Sequence, residues 1–159
     1  MRSDWLKIKL DDLSGNEIFS LLQEHLEDMR ATSPPESVHA LNLEALKDPS
    51  VQFWTIWDGQ ILAGCGAFKK LDPKHAEIKS MRTSSLYKNQ GVASKLLMHI
   101  IEQAKLSGMN RLSLETGAMD YFVPAHALYL KHGFSFCAPF SDYKEDPNSK
   151  FMSLDLVKM

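Results

Sequence analysis

Residues 75–97 of the 159-residue chain read HAEIKSMRTSSLYKNQGVASKLL, and this stretch decides the fold. Its first nine residues are typical of a β-strand, and an apolar pattern of helical period begins at Val92. Between them lies a short polar loop, residues 88–93 (KNQGVA), with one glycine. The first turn of a helix has unpaired backbone N–H groups and a partial positive charge, so the loop is either an ordinary turn or an anion site. At Gly91 a pyrophosphate could approach the bare backbone.

The strand predicted at 75–83 does not keep the two-residue period of a regular strand. Ile78 and Met81 are three residues apart, and Thr83 follows two residues later. One extra residue, a β-bulge, would put all three on one face and leave backbone N–H groups free to bind a ligand carbonyl. A strand buried on both faces explains the same spacing, so the pattern alone leaves both interpretations open.

Periodicity along the rest of the chain predicts one α/β (α+β) domain over residues 1–159, in the order β-α-α-β-β-β-α-β-α-β-β. Net charge is −2, from 18 basic and 20 acidic residues, which predicts neither a nucleic-acid partner nor a membrane partner. We predict that Cys65 and Cys137 are buried, reduced thiols, and that the protein is cytoplasmic. No pair of histidines has metal-ligand spacing, so we predict no metal.

Three local signals predict where elements begin and turn. Ser14 and Glu17 have the spacing of a capping box, which predicts the start of the first long helix. Apolar residues within 38–46 outline a short second helix. Asp58-Gly59 between two strand-like runs predicts a two-residue hairpin loop.

These features together resemble the GCN5-related N-acetyltransferase (GNAT) family over nearly the whole sequence. Residues 76–97 are similar to the strand, loop and helix with which that family binds acetyl-CoA. The family loop usually reads Arg/Gln-x-x-Gly-x-Gly/Ala, and here Lys88, Gly91 and Ala93 occupy those positions. Lys88 is a mild departure, because backbone amides provide most of the grip on the pyrophosphate.

A second stretch, residues 124–134 (PAHALYLKHGF), is similar to the family's A-x-x-L-Y-x-K-x-G-F helix. Many members carry an asparagine seven residues before the tyrosine to contact coenzyme A, and here that position is Phe122. The segments around this helix and at the carboxyl end look like those of a bacterial subgroup of small-molecule acetyltransferases.

The resemblance implies a mixed, mostly antiparallel central sheet with a bulged fourth strand and helices on both faces. It implies direct transfer of an acetyl group from acetyl-CoA, the cosubstrate, to the amine of a small-molecule or amino-acid-like acceptor. A non-catalytic acyl-CoA sensor or partner-binding module on the same fold is the alternative. The expected partner is therefore a small-molecule amine, with a homodimer left open.

The resemblance also implies which residues form the site. The pantetheine arm would run along 81–83, and the pyrophosphate would lie on the amides of residues 89–94. A backbone N–H near Met81 would polarise the thioester carbonyl. The residues predicted to bind acetyl-CoA are Met81, Arg82, Thr83, Lys88, Asn89, Gln90, Gly91, Val92, Ala93 and Ser94.

Catalysis needs an acid for the departing thiolate and a base for the amine. Tyr129 is the predicted acid, and a helix-face aromatic residue is its alternative interpretation. Glu77 is the first choice of base and Glu115 the second, although either could pair with Lys79 or Arg82 or bind a cationic substrate. The candidate substrate contacts are His25, Arg30 and Tyr143.

Overall fold

The computed structural model describes residues 5–32 and 43–157. The order of its elements confirms the predicted order, with two single-turn 3₁₀ helices added at Ser85–Tyr87 and Asp120–Phe122. The predicted second helix is described only at its end, because most of 38–46 lies outside the described residues. The elements are β1 Leu6–Leu10, α1 Asn16–Thr32, α2 Leu43–Leu46, β2 Val51–Asp58, β3 Ile61–Lys70, β4 His75–Thr83, α3 Val92–Leu106, β5 Arg111–Gly117, α4 Val123–Lys131, β6 Ser135–Cys137 and β7 Ser149–Asp155.

The described residues form one seven-stranded sheet in the order β1-β2-β3-β4-β5-β7-β6. The β4–β5 pair is parallel and the other neighbouring pairs are antiparallel, as predicted for a mixed, mostly antiparallel sheet. One buried apolar cluster contains the inward face of α3 together with Tyr129 of α4, and a second contains the inward face of α1. Because successive side chains of a strand point to opposite faces, α1 and α3 cover the two sides of the sheet.

β4 contains the predicted bulge. Cys65 of β3 faces Arg82 and Ala67 faces Lys79, so Gly66 alone lies opposite both Ser80 and Met81. Ser80 has φ +57°, a left-handed backbone conformation, and its carbonyl accepts the Cys65 thiol at 3.3 Å. Ile78 and Met81 consequently belong to the same core cluster despite their spacing.

The parallel pairing of β4 with β5 is short. Residues 75–77 pair with 111–113, and beyond these the two strands no longer pair. β5 instead continues its antiparallel pairing with β7 as far as Gly117. The sheet therefore opens between β4 and β5 at the end where the bulge lies.

Two local predictions were wrong in detail. α1 begins at Asn16 rather than after a Ser14 cap, because the Ser14 hydroxyl donates to Asp12 Oδ1 at 2.6 Å. Asp58 pairs with Ile61, so the hairpin loop is Gly59-Gln60, one residue later than predicted. Gly59 takes up the positive φ that such a turn requires, at +59°.

Candidate active site

The loop before α3 presents its backbone to open space. Gly91 is the N-cap of α3 with φ +81°, and no side chain caps the helix. A Cβ added at Gly91 would meet no atom within 4 Å. Asn89 also has a positive φ, +63°, so the chain turns sharply just before the helix. The first amides of α3 therefore face outward without intrahelical partners, which is the geometry of an anion site.

The loop opens into a cleft of about 630 Å³ that runs between α1, the bulged end of β4, α3 and α4. The residues predicted to bind the donor line this cleft, with the exception of Gln90. The side-chain amide of Gln90 instead donates to the Leu86 carbonyl at 3.2 Å. The predicted residues that line the cleft are Met81, Arg82, Thr83, Lys88, Asn89, Gly91, Val92, Ala93 and Ser94.

A smaller cavity of about 150 Å³ adjoins the cleft where β4 and β5 have separated. Met81 and Tyr129 line both spaces, so the two meet at the bulge. The polar side chains of the smaller cavity come from α1, β4, β5, α4, the start of β7 and the segment that leads into it. They are His25, Ser80, Glu115, Thr116, Tyr129, Asn148 and Ser149.

Tyr129 lies at the junction of the two spaces. Its side chain is 6% exposed, and its hydroxyl has no hydrogen-bond partner among residues 5–32 and 43–157. Burial raises the pKa of Tyr129 above its usual range, so the phenol carries its proton at neutral pH. A protonated hydroxyl with no partner in the described part of the chain is available to donate to a ligand.

The structure separates the two carboxylates that were predicted as bases. Glu115 lines the smaller cavity, where Ser149 Oγ donates to its Oε2 at 2.9 Å. Glu77 is 4% exposed and lines neither space. The Tyr143 hydroxyl donates to Glu77 Oε2 at 2.5 Å, and Lys79 Nζ lies 3.6 Å from the same atom.

Tyr143 therefore contacts a buried carboxylate rather than the cleft. Burial, and then the hydrogen bond to Glu77, raise the pKa of Tyr143 above its usual range. Arg30, another predicted substrate contact, is exposed near the end of α1 and does not line the cleft. Of the three predicted substrate contacts, His25 lines both spaces.

His25 faces the site as a neutral imidazole. Burial and the nearby Arg82 guanidinium lower the pKa of His25 to about 4, although Asp28 and Glu24 oppose the shift. At neutral pH the ring can therefore donate or accept a hydrogen bond without carrying charge.

Arg82 is held by two carboxylates on α1. Its side chain is 7% exposed, and Nη2 pairs with Glu24 and with Asp28, the latter at 2.6 Å. The Tyr121 hydroxyl lies 3.4 Å from both Arg82 Nη1 and Asp28 Oδ2. Burial would lower the pKa of Arg82, but the hydrogen bonds that it donates to Glu24 and Asp28 outweigh burial and raise the pKa. The Arg82 guanidinium therefore links β4 to α1 at the edge of the cleft.

Sequence reasoning missed several residues that line the cleft: Asp28, Met29, Tyr121, Pro124, Leu128 and Lys131. Glu24 and Asp28 are four residues apart on α1, a spacing that places two carboxylates on one helix face. That spacing was the available signal for a cationic partner. Phe122 stands where many family members have asparagine, and its ring lies against Gly117 and lines both spaces.

The two cysteines, both predicted to be buried, differ in their burial. Cys65 is buried, and burial raises the pKa of its thiol. Cys137 is half-buried rather than buried. Both are free thiols.

Within residues 5–32 and 43–157, no three His, Cys, Asp or Glu side chains are grouped so that they could hold a metal ion. No helix in that part of the chain has the length and apolar character needed to cross a bilayer.

Taken with the fold, this geometry suits a group-transfer enzyme that holds a long anionic donor. Comparison with known proteins agrees. The family model described as "Acetyltransferase (GNAT) family" matches residues 18–134. The chain is 56% identical to the uncharacterized N-acetyltransferase YsnE of Bacillus subtilis (strain 168) over 151 residues, covering 95% of this chain and 100% of that protein.

It is also 51% identical to the uncharacterized N-acetyltransferase YedL of Escherichia coli (strain K12), covering 95% of each. The crystal structure of a Bacillus subtilis acetyltransferase in complex with CoA has the same fold. Its TM-score is 0.69 at 21% identity, and the match covers 96% of this chain and 99% of that one. The chain therefore belongs to the GNAT family of acetyltransferases, as its resemblance predicted.

Proposed function

We propose that the protein transfers an acetyl group from acetyl-CoA directly to the amine of a small-molecule or amino-acid-like acceptor. The observation that carries this proposal is the junction at Met81 and Tyr129, where the two spaces meet. A donor lying in the larger cleft and an acceptor in the smaller cavity would meet at that point.

The donor would be held mainly by backbone. Outward-facing amides from Asn89 to Ser94 bind the pyrophosphate, assisted by the helix dipole of α3. Lys88 and Lys131 line the same cleft and add positive charge beside the phosphates. The pantetheine arm runs along residues 81–83, where β4 has left its parallel partner.

The chemistry needs few side chains. The acceptor nitrogen attacks the thioester carbonyl carbon, a C–N bond forms, and the C–S bond breaks. A backbone N–H at the bulge stabilises the oxygen that gains negative charge. Tyr129 donates its proton to the departing thiolate, and the phenolate takes up, through water, the proton that the nitrogen releases as the amide forms.

Glu115 is the better-placed base. It lines the cavity that adjoins the junction, whereas Glu77 lies outside both spaces and already accepts a hydrogen bond from Tyr143. We assign Glu115 the proton that leaves the acceptor ammonium, directly or through a water. Glu115→Gln is therefore expected to lower kcat/KM for the amine more than Glu77→Gln does, at unchanged affinity for acetyl-CoA.

Two measurements test the function. Acetyl-CoA is expected to raise the Tm, because a ligand that binds the folded state stabilises it. No shift at millimolar acetyl-CoA would exclude the donor. Release of free thiol from acetyl-CoA is then followed across a panel of small amines. Binding without thiol release on any amine would favour the acyl-CoA sensor instead.

A further inference from the structure

Ser94 lies on the first turn of α3, among the amides that would hold the donor phosphates. Lys95 is the first residue whose amide bonds inside this helix, donating to the Gly91 carbonyl at 3.1 Å. The amides of residues 92–94 therefore have no intrahelical partner. Ser94 is half-buried and lines the larger cleft. It thus combines such an amide with a hydroxyl side chain at the wall of the cleft.

A histidine at the end of α4 contacts the Ser94 hydroxyl. His132 Nε2 lies 3.1 Å from Ser94 Oγ, a hydrogen bond between residues 38 positions apart in the chain. His132 is half-buried and does not line the cleft, whereas Ser94 does. The imidazole ring therefore influences a ligand in the cleft through the Ser94 hydroxyl.

The closing turn of α4 fixes the position of His132. This residue is the C-cap of α4, and its amide donates to the Tyr129 carbonyl at 3.1 Å. Gly133 follows with φ +95°, and the Phe134 amide donates to the same Tyr129 carbonyl at 3.0 Å. The bond between Ser94 and His132 consequently ties the start of α3 to the end of the helix that carries the proposed acid.

The direction of this hydrogen bond decides what Ser94 can offer to a ligand. A serine hydroxyl has one proton and two lone pairs, and a neutral imidazole has one N–H. If Ser94 donates to His132, the serine oxygen presents only lone pairs to the cleft. If His132 Nε2–H donates to Ser94, the serine proton can point into the cleft. Ionised phosphate oxygens accept hydrogen bonds, so a bound phosphate favours the second arrangement.

The neighbouring lysine has a different part in the same region. Burial, and then Lys131, lower the pKa of His132, so the ring is mainly neutral at neutral pH. In a neutral ring either nitrogen can carry the proton, and Nε2–H is one of the two tautomers. Lys131 itself lines the cleft. Lys131 therefore supplies positive charge, while His132 and Ser94 supply a proton with a defined direction.

We propose that His132 is a positioning residue for the donor, which holds the Ser94 hydroxyl so that its proton points at a pyrophosphate oxygen of acetyl-CoA. This inference rests on the proposed function, because it concerns the same donor. His132 Nε2–H donates to Ser94 Oγ, and the Ser94 hydroxyl donates to the phosphate. Each of these hydrogen bonds polarises the next, so the pair binds more strongly than either bond would alone.

Calorimetric titration with CoA tests the proposal without an acceptor. Ser94→Ala is expected to raise the Kd for CoA about tenfold, because a hydrogen bond to a charged group is lost. His132→Phe should raise it about fivefold, since nothing then orients the serine hydroxyl. His132→Gln, whose amide can still donate to Ser94, should stay within about threefold of wild type. Ser107→Ala, at the C-cap of α3 and outside both spaces, is the matched control.

Two further comparisons separate a positioning role from a structural one. Adding His132→Phe to Ser94→Ala should raise the Kd by less than about twofold more, because the ring acts through the hydroxyl. Dephospho-CoA keeps the pyrophosphate, so its affinity should fall as much as that of CoA. Pantetheine has no phosphate, so the rise in Tm that it causes at millimolar concentration should be the same in Ser94→Ala and wild type.

The possible failures are distinguishable. If CoA does not bind the wild-type protein, the donor is wrong, and both the proposed function and this inference fail. If CoA binds the wild type and Ser94→Ala equally well, only this inference fails. Additive losses in the double variant, or an equal loss with pantetheine, would overturn the positioning role. A loss with CoA that is absent with dephospho-CoA would place Ser94 at the 3′-phosphate and overturn its assignment to the pyrophosphate.

Discussion

Replacing Tyr129 with phenylalanine should make the protein slower without making it less stable. The variant removes the hydroxyl of a residue that lines the cleft, and no described residue hydrogen-bonds to it. Because no hydrogen bond among the described residues is lost, the free energy of unfolding should stay within ~1 kcal/mol of the wild-type value. Loss of the general acid should lower kcat by about a hundredfold.

Tyr143→Phe, in contrast to Tyr129→Phe, should make the protein less stable. Its hydroxyl donates to the buried carboxylate of Glu77 at 2.5 Å. Hydrogen bonds to charged groups contribute about 1.5–3 kcal/mol, and this variant also leaves a buried carboxylate with one partner fewer. We expect a loss of ~2 kcal/mol, which for a domain of this size lowers the Tm by about 4–8 °C.

Both variants are measured in the same three assays: urea unfolding, titration with acetyl-CoA, and thiol release with the best amine. Tyr129→Phe should keep the wild-type Kd for acetyl-CoA while kcat falls. A loss of stability above ~1 kcal/mol in Tyr129→Phe would show that its hydroxyl has a partner. A Kd that weakens as much as kcat falls would remove the acid role and leave a binding role.

Three further predictions concern pH and backbone. Folded His25 stays neutral down to about pH 4 whereas the unfolded residue protonates near 6.5, so the free energy of unfolding should fall by roughly 1–3 kcal/mol as pH drops through that window. His25→Gln should flatten this dependence in urea titrations. Gly117→Ala places a methyl group against the Phe122 ring and should cost about 1–3 kcal/mol, measured by Tm, while weakening acetyl-CoA binding. Gly91→Ala should cost only about 1 kcal/mol, from its positive φ, yet weaken acetyl-CoA in calorimetry.

Each of these has an outcome that contradicts it. An unchanged pH dependence in His25→Gln would assign the acid sensitivity to another group. Normal acetyl-CoA binding by Gly91→Ala would show that the amides at the start of α3 do not hold the donor. A Gly117→Ala protein with wild-type Tm would mean that the Phe122 ring moves aside freely.

The sequence predicted those strands and helices whose apolar residues follow a regular local spacing. The run from β4 to α3 was predicted with its bounds, because a broken strand period, a glycine and a helical apolar face each leave a local trace. The bulge between Ile78 and Met81 was one of two open interpretations, and the pairing of β3 with β4 decided it.

The roles of the charged side chains were harder to predict from the sequence, because each role depends on which distant residues pack against that side chain. Glu77 and Glu115 look equivalent in sequence, each a carboxylate on a predicted strand. The loop after β6 folds Tyr143 onto Glu77 and leaves Glu115 facing the cavity, and no local pattern records that long-range contact. Arg82 likewise turned out to pair with α1, more than fifty residues earlier in the chain.

The short pairing of β4 with β5 also bears on the mechanics of the domain. β1 to β4 form one part of the sheet and β5, β7 and β6 the other, joined along three residue pairs at one end. This seam is where the sheet can bend with the fewest backbone hydrogen bonds lost. A ligand whose amides pair with the free edge of β4 would add hydrogen bonds at this seam. The two parts of the sheet would then move less relative to each other. Amide hydrogen exchange along β4 and β5 should therefore slow when the donor binds, even far from the atoms that react.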